Sequence, residues 1–463
     1  MDSAENAPMP RAVALLLLAA YIVIVSLVAA HHEPWRDEAD AWLAARDAGP
    51  VQLLDFFRHG GTPGLWYLLL MPFARAGAPY GTQEVLHVAI AAGAAALLLF
   101  RAPFPRLIRA VLPFTYYFAY EYAVIARSYA LSALLLFAIA ALHRRRFERP
   151  VPYAIAVALL ANTNVHSLCI AALIGLAYLL ERRRPVPLAI MLAGGLLAVA
   201  QVWPTGEGMV RGIVSVFHAD ATTAAVRSAF FPIYNGLPVP EVMIGGAIVL
   251  AALWAVRRSR GSLLVLLGAF ACFAYIFTFK WVGGPRHFGF VLLVVLFALW
   301  ISERRDRIAS IVCWSLLAVS MAASLLASVY VWRLDWSFAF SGSREAADFI
   351  HDRGLGPYII AAHSQTTAEA VCAYFDHPFW YAGIEEFGTY SRWDRQFARG
   401  LEVTYPEAVQ RVDRRFPDRT RLLLLLNVPM PQPEQRGWRL LFHNARPQFT
   451  NLDESYWIYG ALP

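Results

Sequence analysis

Over its first 330 residues the chain alternates long apolar runs with short Arg-rich clusters. A bilayer core of about 30 Å needs roughly 20 apolar residues in helical form to cross it. The runs near 11–30, 85–100, 107–123, 129–142, 151–165, 167–181, 186–203, 239–256, 262–279, 288–301 and 308–330 therefore read as eleven membrane helices, several of them short. The clusters between them centre on Arg101/Arg106/Arg109, His143–Arg146, Arg182–Arg184, Arg257/Arg258/Arg260 and Arg304/Arg305/Arg307. The excess of Arg and Lys in cytoplasmic loops assigns all five clusters to the cytoplasm. Pro63–Ala76 is also apolar, but counting it as a span would move most of those clusters outside. Its fourteen residues fit a re-entrant or interfacial helix better. The expected topology has the N-terminus inside, the C-terminus outside, and a first external loop over 31–84.

From about 331 the pattern becomes that of a water-soluble domain. Ser343–Asp352, Thr367–Phe375 and Tyr405–Phe416 have helical periodicity, and Tyr358–Ala362, Leu422–Leu426, Trp438–Phe442 and Tyr456–Tyr459 read as strands. The expected division is a polytopic α-helical membrane domain over 1–330 and an extracytoplasmic α/β domain over 331–463.

Composition agrees with a membrane protein: 58% of the 463 residues are hydrophobic and 16% charged, where soluble chains carry about 25% charged residues. The net charge of +7 sits mostly in the clusters between spans, so it sets topology and does not advertise nucleic-acid binding. Arg11 and the apolar run after it resemble a signal peptide, yet the run exceeds a typical signal core, so a retained first helix is expected. The four cysteines, Cys169, Cys272, Cys313 and Cys372, have neither disulfide-like nor zinc-like spacing.

The expected topology gathers the unusual polar residues on the external face. Asp37, Glu38 and Asp40 lie between Trp35 and Trp42, just beyond the first span, where acids are costly unless they have a task. As ordinary loop acids, Asp37 and Glu38 would stabilise the first turn of a following helix. Glu121, Arg127 and Tyr129 fall in the second external segment, His166 in the third, and Lys280, Arg286 and His287 in the last. The loop over 204–238, with Arg211, reads as a lid or as a connector with a surface helix at Met209–Phe217.

Asp37-Glu38 and the later segment from His59 to Tyr67, HGGTPGLWY, resemble the first external loop of the GT-C superfamily of membrane glycosyltransferases. The resemblance is particularly to the branch of the protein-mannosyltransferases and aminoarabinose transferases, in which an Asp or Asp-Glu pair precedes a His-Pro-Pro-Leu-Tyr-Tyr-like segment. One proline of that pair is missing here and glycines intervene. The segment EYAVIARSYAL resembles the family's Ser-Arg-x-x-Arg-x-Tyr-like segment, with Arg127 and Tyr129 carrying over.

The resemblance implies transfer of a sugar from a polyprenyl-phosphate donor, with inversion, to an extracytoplasmic lipid, glycan or protein. Such chemistry needs a carboxylate to take the acceptor's proton and cations to stabilise the departing phosphate. The expected roles are Asp37 as base, Glu38 orienting it or the acceptor, and Arg127, Lys280, Arg286 and His287 holding phosphate. The Gly283-Gly284-Pro285 turn would bring backbone N–H groups toward the anion. His59, Tyr129, His166 and Arg211 are expected around the acceptor or a lid. No cofactor is implied; a divalent cation stays open, although no His-Glu-x-x-His spacing occurs. A lipid-linked glycan ligase or polymerase would use the same residues. A transporter would place its charges near mid-membrane, and a membrane scaffold would need none of this chemistry.

Overall fold

The computed structural model describes residues 9–208, 217–233 and 238–461. It is mostly helical, with a six-stranded mixed sheet in the C-terminal part. Among the described residues, six helices are long and apolar enough to cross a bilayer: Arg11–His31, Thr82–Arg101, Pro185–Val202, Val239–Val256, Arg260–Phe279 and Arg307–Ser337.

Five of the eleven expected spans differ. Tyr129–Leu142, Pro150–Ala161, Val165–Glu181 and Pro285–Ile301 are helices where expected, but at about 1.5 Å per residue they fall short of a 30 Å core. The run over 107–123 is broken into an α-helix at Arg106–Val111, a 3₁₀ turn at Leu112–Phe114 and a π-helical turn at Tyr117–Glu121. Pro113 lacks the N–H that a continuing helix requires, and its ring clashes with the preceding turn. The last long helix continues to Ser337, beyond the expected boundary at 330. Its final turns are held by Asp335, whose Oδ2 accepts from His32 Nδ1 at 2.9 Å and Tyr120 Oη at 3.0 Å.

The bundle has two chemically distinct ends. At one end Arg146 pairs with Glu181 and Glu303, Arg257 pairs with Asp306, and Arg305 donates to Pro103 O at 3.2 Å. The five basic clusters thus meet there. At the other end the chain between the first two long helices folds into three short helices, Arg36–Asp47, Pro50–Gly60 and Leu65–Arg75. The eleven-residue Leu65–Arg75 helix is too short to span and packs against Arg36–Asp47. Within 204–238, Ala221–Phe230 is a packed helix with Ala225, Ala229 and Phe230 buried. Arg211 and the 209–216 part of the expected surface helix lie outside the described residues.

The C-terminal sheet runs β1 (Ile359–Ala362), β2 (Phe379–Tyr381), β3 (Glu386–Gly388), β4 (Leu422–Leu426), β5 (Trp438–His443) and β6 (Trp457–Ala461) in chain order. In space the order is β3-β2-β1-β4-β6-β5, with β1 parallel to β2 and β4 and the other pairs antiparallel. Leu422–Leu426 is buried throughout, as an all-apolar central strand should be. The helix after β1, Gln365–Cys372, packs on the Arg36–Asp47 helix. Arg36 pairs with Asp453 and Glu454, Arg344 donates to His32 O at 2.7 Å, and Ser343 Oγ donates to Pro34 O at 2.9 Å. The C-terminal part is therefore docked on the first loop.

Candidate active site

A cavity of about 460 Å³ opens at the end of the bundle opposite the basic clusters. Five stretches far apart in sequence wall it. Asp37 and Asp40 come from the Arg36–Asp47 helix, Phe56 and Tyr67 from the two short helices after it, Arg127 and Tyr129 from the turn before Tyr129–Leu142 and that helix's first residue, His166 from the start of Val165–Glu181, and Lys280 and His287 from the turn before Pro285–Ile301 and that helix's first turn. Trp393 closes it from the C-terminal part.

Asp37 occupies the first turn of its helix with its side chain 27% exposed. Its Oδ2 lies 3.1 Å from Arg127 Nη1 and 3.0 Å from Arg286 Nη1, and Arg127 Nη1 also donates to the Asp37 carbonyl at 2.6 Å. Burial alone would raise the carboxyl's pKa; the guanidinium groups of Arg127, Arg286 and Arg36 outweigh it and hold it below the ordinary value. Arg286 rests over the Trp35 ring at 4.9 Å and does not line the cavity, so its charge is spent on Asp37.

Glu38 does not serve Asp37 as its neighbour in sequence suggested. Adjacent residues on a helix point about 100° apart, and Glu38 is 0% exposed and turned away from the cavity. Its carboxylate accepts from Ala126 N at 2.6 Å and Trp35 N at 3.2 Å, with His32 Nε2 at 3.3 Å. It welds the first loop to the 122–128 turn. Glu38→Ala would orphan the buried Ala126 N–H and is expected to cost about 2–4 kcal/mol of stability. Thermal unfolding in detergent checks this; an unchanged Tm would remove the structural role.

Asp40, three residues beyond Asp37, lines the same cavity and is 7% exposed. Its Oδ2 accepts from Trp393 Nε1 at 3.1 Å, and its Oδ1 has no partner among the described residues. Burial pushes its pKa up to about 7, assisted by the Asp37 charge and opposed by the Trp393 hydrogen bond and Arg127. The spacing Asp37-x-x-Asp40 was the signal available for it, since i and i+3 share a helix face.

His287 lines the cavity with both ring nitrogens engaged. Gly284 N donates to Nδ1 at 3.0 Å, which leaves the proton on Nε2, 2.9 Å from Tyr129 Oη. The Gly284 N–H expected to face an anion is thus taken by this histidine. Gly283, at φ +78°, provides the left-handed step that makes the turn. His166 stacks on Phe290 at 5.2 Å, and its Nε2 has no partner among the described residues. Lys280 lines the cavity and has no carboxylate at ion-pair distance among the described residues. His59 is absent from the lining; its Nδ1 meets Arg392 O at 3.0 Å and so fastens the loop that carries Trp393.

Among the described residues no group of three or more His, Cys, Asp or Glu side chains is arranged to hold a metal ion. The histidines and acids near the first loop are distributed over separate contacts: His32 with Glu38 and Asp335, His59 with Arg392, His166 with Phe290. No protein-family model matches the chain, and no curated protein matches it in sequence.

Proposed function

We propose that the protein is a GT-C-like membrane glycosyltransferase that moves a sugar from a polyprenyl phosphate to an extracytoplasmic lipid, glycan or protein. The observation that carries this reading is the cavity itself: it joins two carboxylates of the first loop to Arg127 and Lys280, drawn from turns about 90 and 240 residues further along. Carboxylate on one wall and cation on the other match a transfer in which a hydroxyl loses its proton while a phosphate leaves. Phe56, Tyr67, Trp281 and Trp393 supply ring faces suited to a sugar.

The proposed setting is the cytoplasmic membrane, crossed eleven times, with short and broken helices among the passes. The N-terminus and the basic end then face the cytoplasm, and the cavity and C-terminal part face outward. A polyprenyl chain would lie among the apolar helices, leaving its phosphate at the level of the cavity.

The test is turnover. Purified protein in liposomes, offered a panel of polyprenyl-phosphate sugars and candidate acceptors, should release polyprenyl phosphate and form a glycoside detectable by mass spectrometry. No donor consumed across a broad panel would sink the transferase reading.

A further inference from the structure

We propose that Asp40, gripped through one oxygen by Trp393 of the C-terminal part, is the carboxylate that takes the acceptor's proton, while Asp37 is a positioning residue that fixes the arginines. This rests on the transferase reading of the same cavity. Asp37 Oδ2 is shared between Arg127 at 3.1 Å and Arg286 at 3.0 Å. A carboxylate stabilised in that way gains little by accepting a proton. Asp40 stands one turn further along the helix, on the cavity wall, and its Oδ1 is buried without a hydrogen-bond partner among the described residues.

The Trp393 loop is built to hold that geometry. Trp393 adopts φ +53°, a left-handed conformation costly for a bulky side chain and typical of functional sites. Ser391, two residues earlier, donates from N (3.0 Å) and Oγ (3.0 Å) to Oε2 of the buried Glu369. His59 holds Arg392 O at 3.0 Å, and Asp394 Oδ1 accepts from Phe397 N at 2.8 Å. The titratable and charged groups facing Asp40 are Asp37 on its own helix, Tyr67, Arg127, Glu369 and Tyr390. Burial raises Asp40 to about 7, where a general base works well near neutral pH.

In the step itself, the acceptor hydroxyl gives its proton to the Asp40 carboxylate and its oxygen bonds to the sugar's anomeric carbon. The bond from that carbon to the donor phosphate oxygen breaks, and its electron pair stays on polyprenyl phosphate beside Arg127 and Lys280. The protonated Asp40 then returns its proton to water.

The experiment compares wild type, Asp40→Asn and Trp393→Phe in donor binding, turnover against pH, and infrared titration of protonated carboxyl groups. Asp40→Asn is expected to lower kcat about 10²- to 10⁴-fold with donor affinity retained. Wild-type kcat should rise with pH to a plateau with an apparent pKa near 7. Trp393→Phe, which removes a donor favouring the ionised form, should shift that rise upward by about one pH unit. Turnover of Asp40→Asn within tenfold of wild type, or an unmoved profile in Trp393→Phe, overturns the assignment while leaving the transferase reading standing. If wild type consumes no donor, the transferase reading fails instead. A carboxyl band titrating near neutrality, absent in Asp40→Asn and moved in Trp393→Phe, would then still support the Trp393-held proton site; its absence would overturn it.

Discussion

Replacing Lys280 with methionine is expected to weaken binding of a polyprenyl-phosphate sugar about 10- to 100-fold while leaving the fold intact. A hydrogen bond to a charged group contributes roughly 1.5–3 kcal/mol, and about 1.4 kcal/mol is a factor of ten. Lys280 is the cleanest cation to remove. It lines the cavity, has no ion-pair partner among the described residues, and its contact with the Tyr275 ring is a loose 5.9 Å. Methionine keeps the length and the apolar stem, so no buried partner is left uncompensated. Arg127→Met would confuse the result, because it also breaks the Asp37 clamp. Donor Kd and kcat/KM measured at two salt concentrations check the expectation. Wild-type affinity in Lys280→Met would mean that the donor phosphate sits elsewhere.

Asp37→Asn is expected to lose both stability and turnover, for a reason tied to the arginines. The substitution leaves Arg127 and Arg286 without their shared carboxylate, and breaking a partly buried pair by removing one partner costs about 3 kcal/mol. Turnover should fall at least about 100-fold as both guanidinium groups lose their positions. The pH dependence separates the two acids. Asp37 has a folded pKa below its unfolded value of about 4, so its stabilisation is present above that pH and is lost as pH falls through the folded value. Asp40 runs the other way: its folded form holds the proton up to about 7, so its contribution to stability declines as pH rises from about 4 to 7. Thermal unfolding should therefore show Asp37→Asn less stable than wild type at pH 7, and Asp40→Asn more stable than wild type at pH 8. A stabilised Asp37→Asn would remove the clamp from the account.

Much of the helical layout was legible because apolar runs bounded by basic clusters are long-range signals that survive any packing. Tyr129–Leu142 and Leu422–Leu426 were read with their observed ends. The 107–123 run misled because its many apolar residues outweigh Pro113 in any average, while the backbone cannot carry a regular helix through the proline. The two short strands Phe379–Tyr381 and Glu386–Gly388 gave no period to detect, being three residues each.

The site was legible at the level of which segments share it. Asp37, Arg127, Tyr129, His166, Lys280 and His287 line one cavity. Individual roles were less visible, since a side chain's task depends on partners distant in sequence. Asp40 acquires its buried environment from Trp393, 353 residues away, and Glu38 is drawn off by Ala126, 88 residues away. Arg286, read as a phosphate ligand, is claimed by Asp37, and nothing local in GGPRHFGF announces that pairing.

The most direct test of the central claim is a structure of the protein with a polyprenyl-phosphate sugar bound. The phosphate is expected within hydrogen-bond distance of Lys280 and Arg127, with the sugar between it and Asp40. A donor bound outside this cavity, or a cavity left empty at saturating donor, would contradict the account.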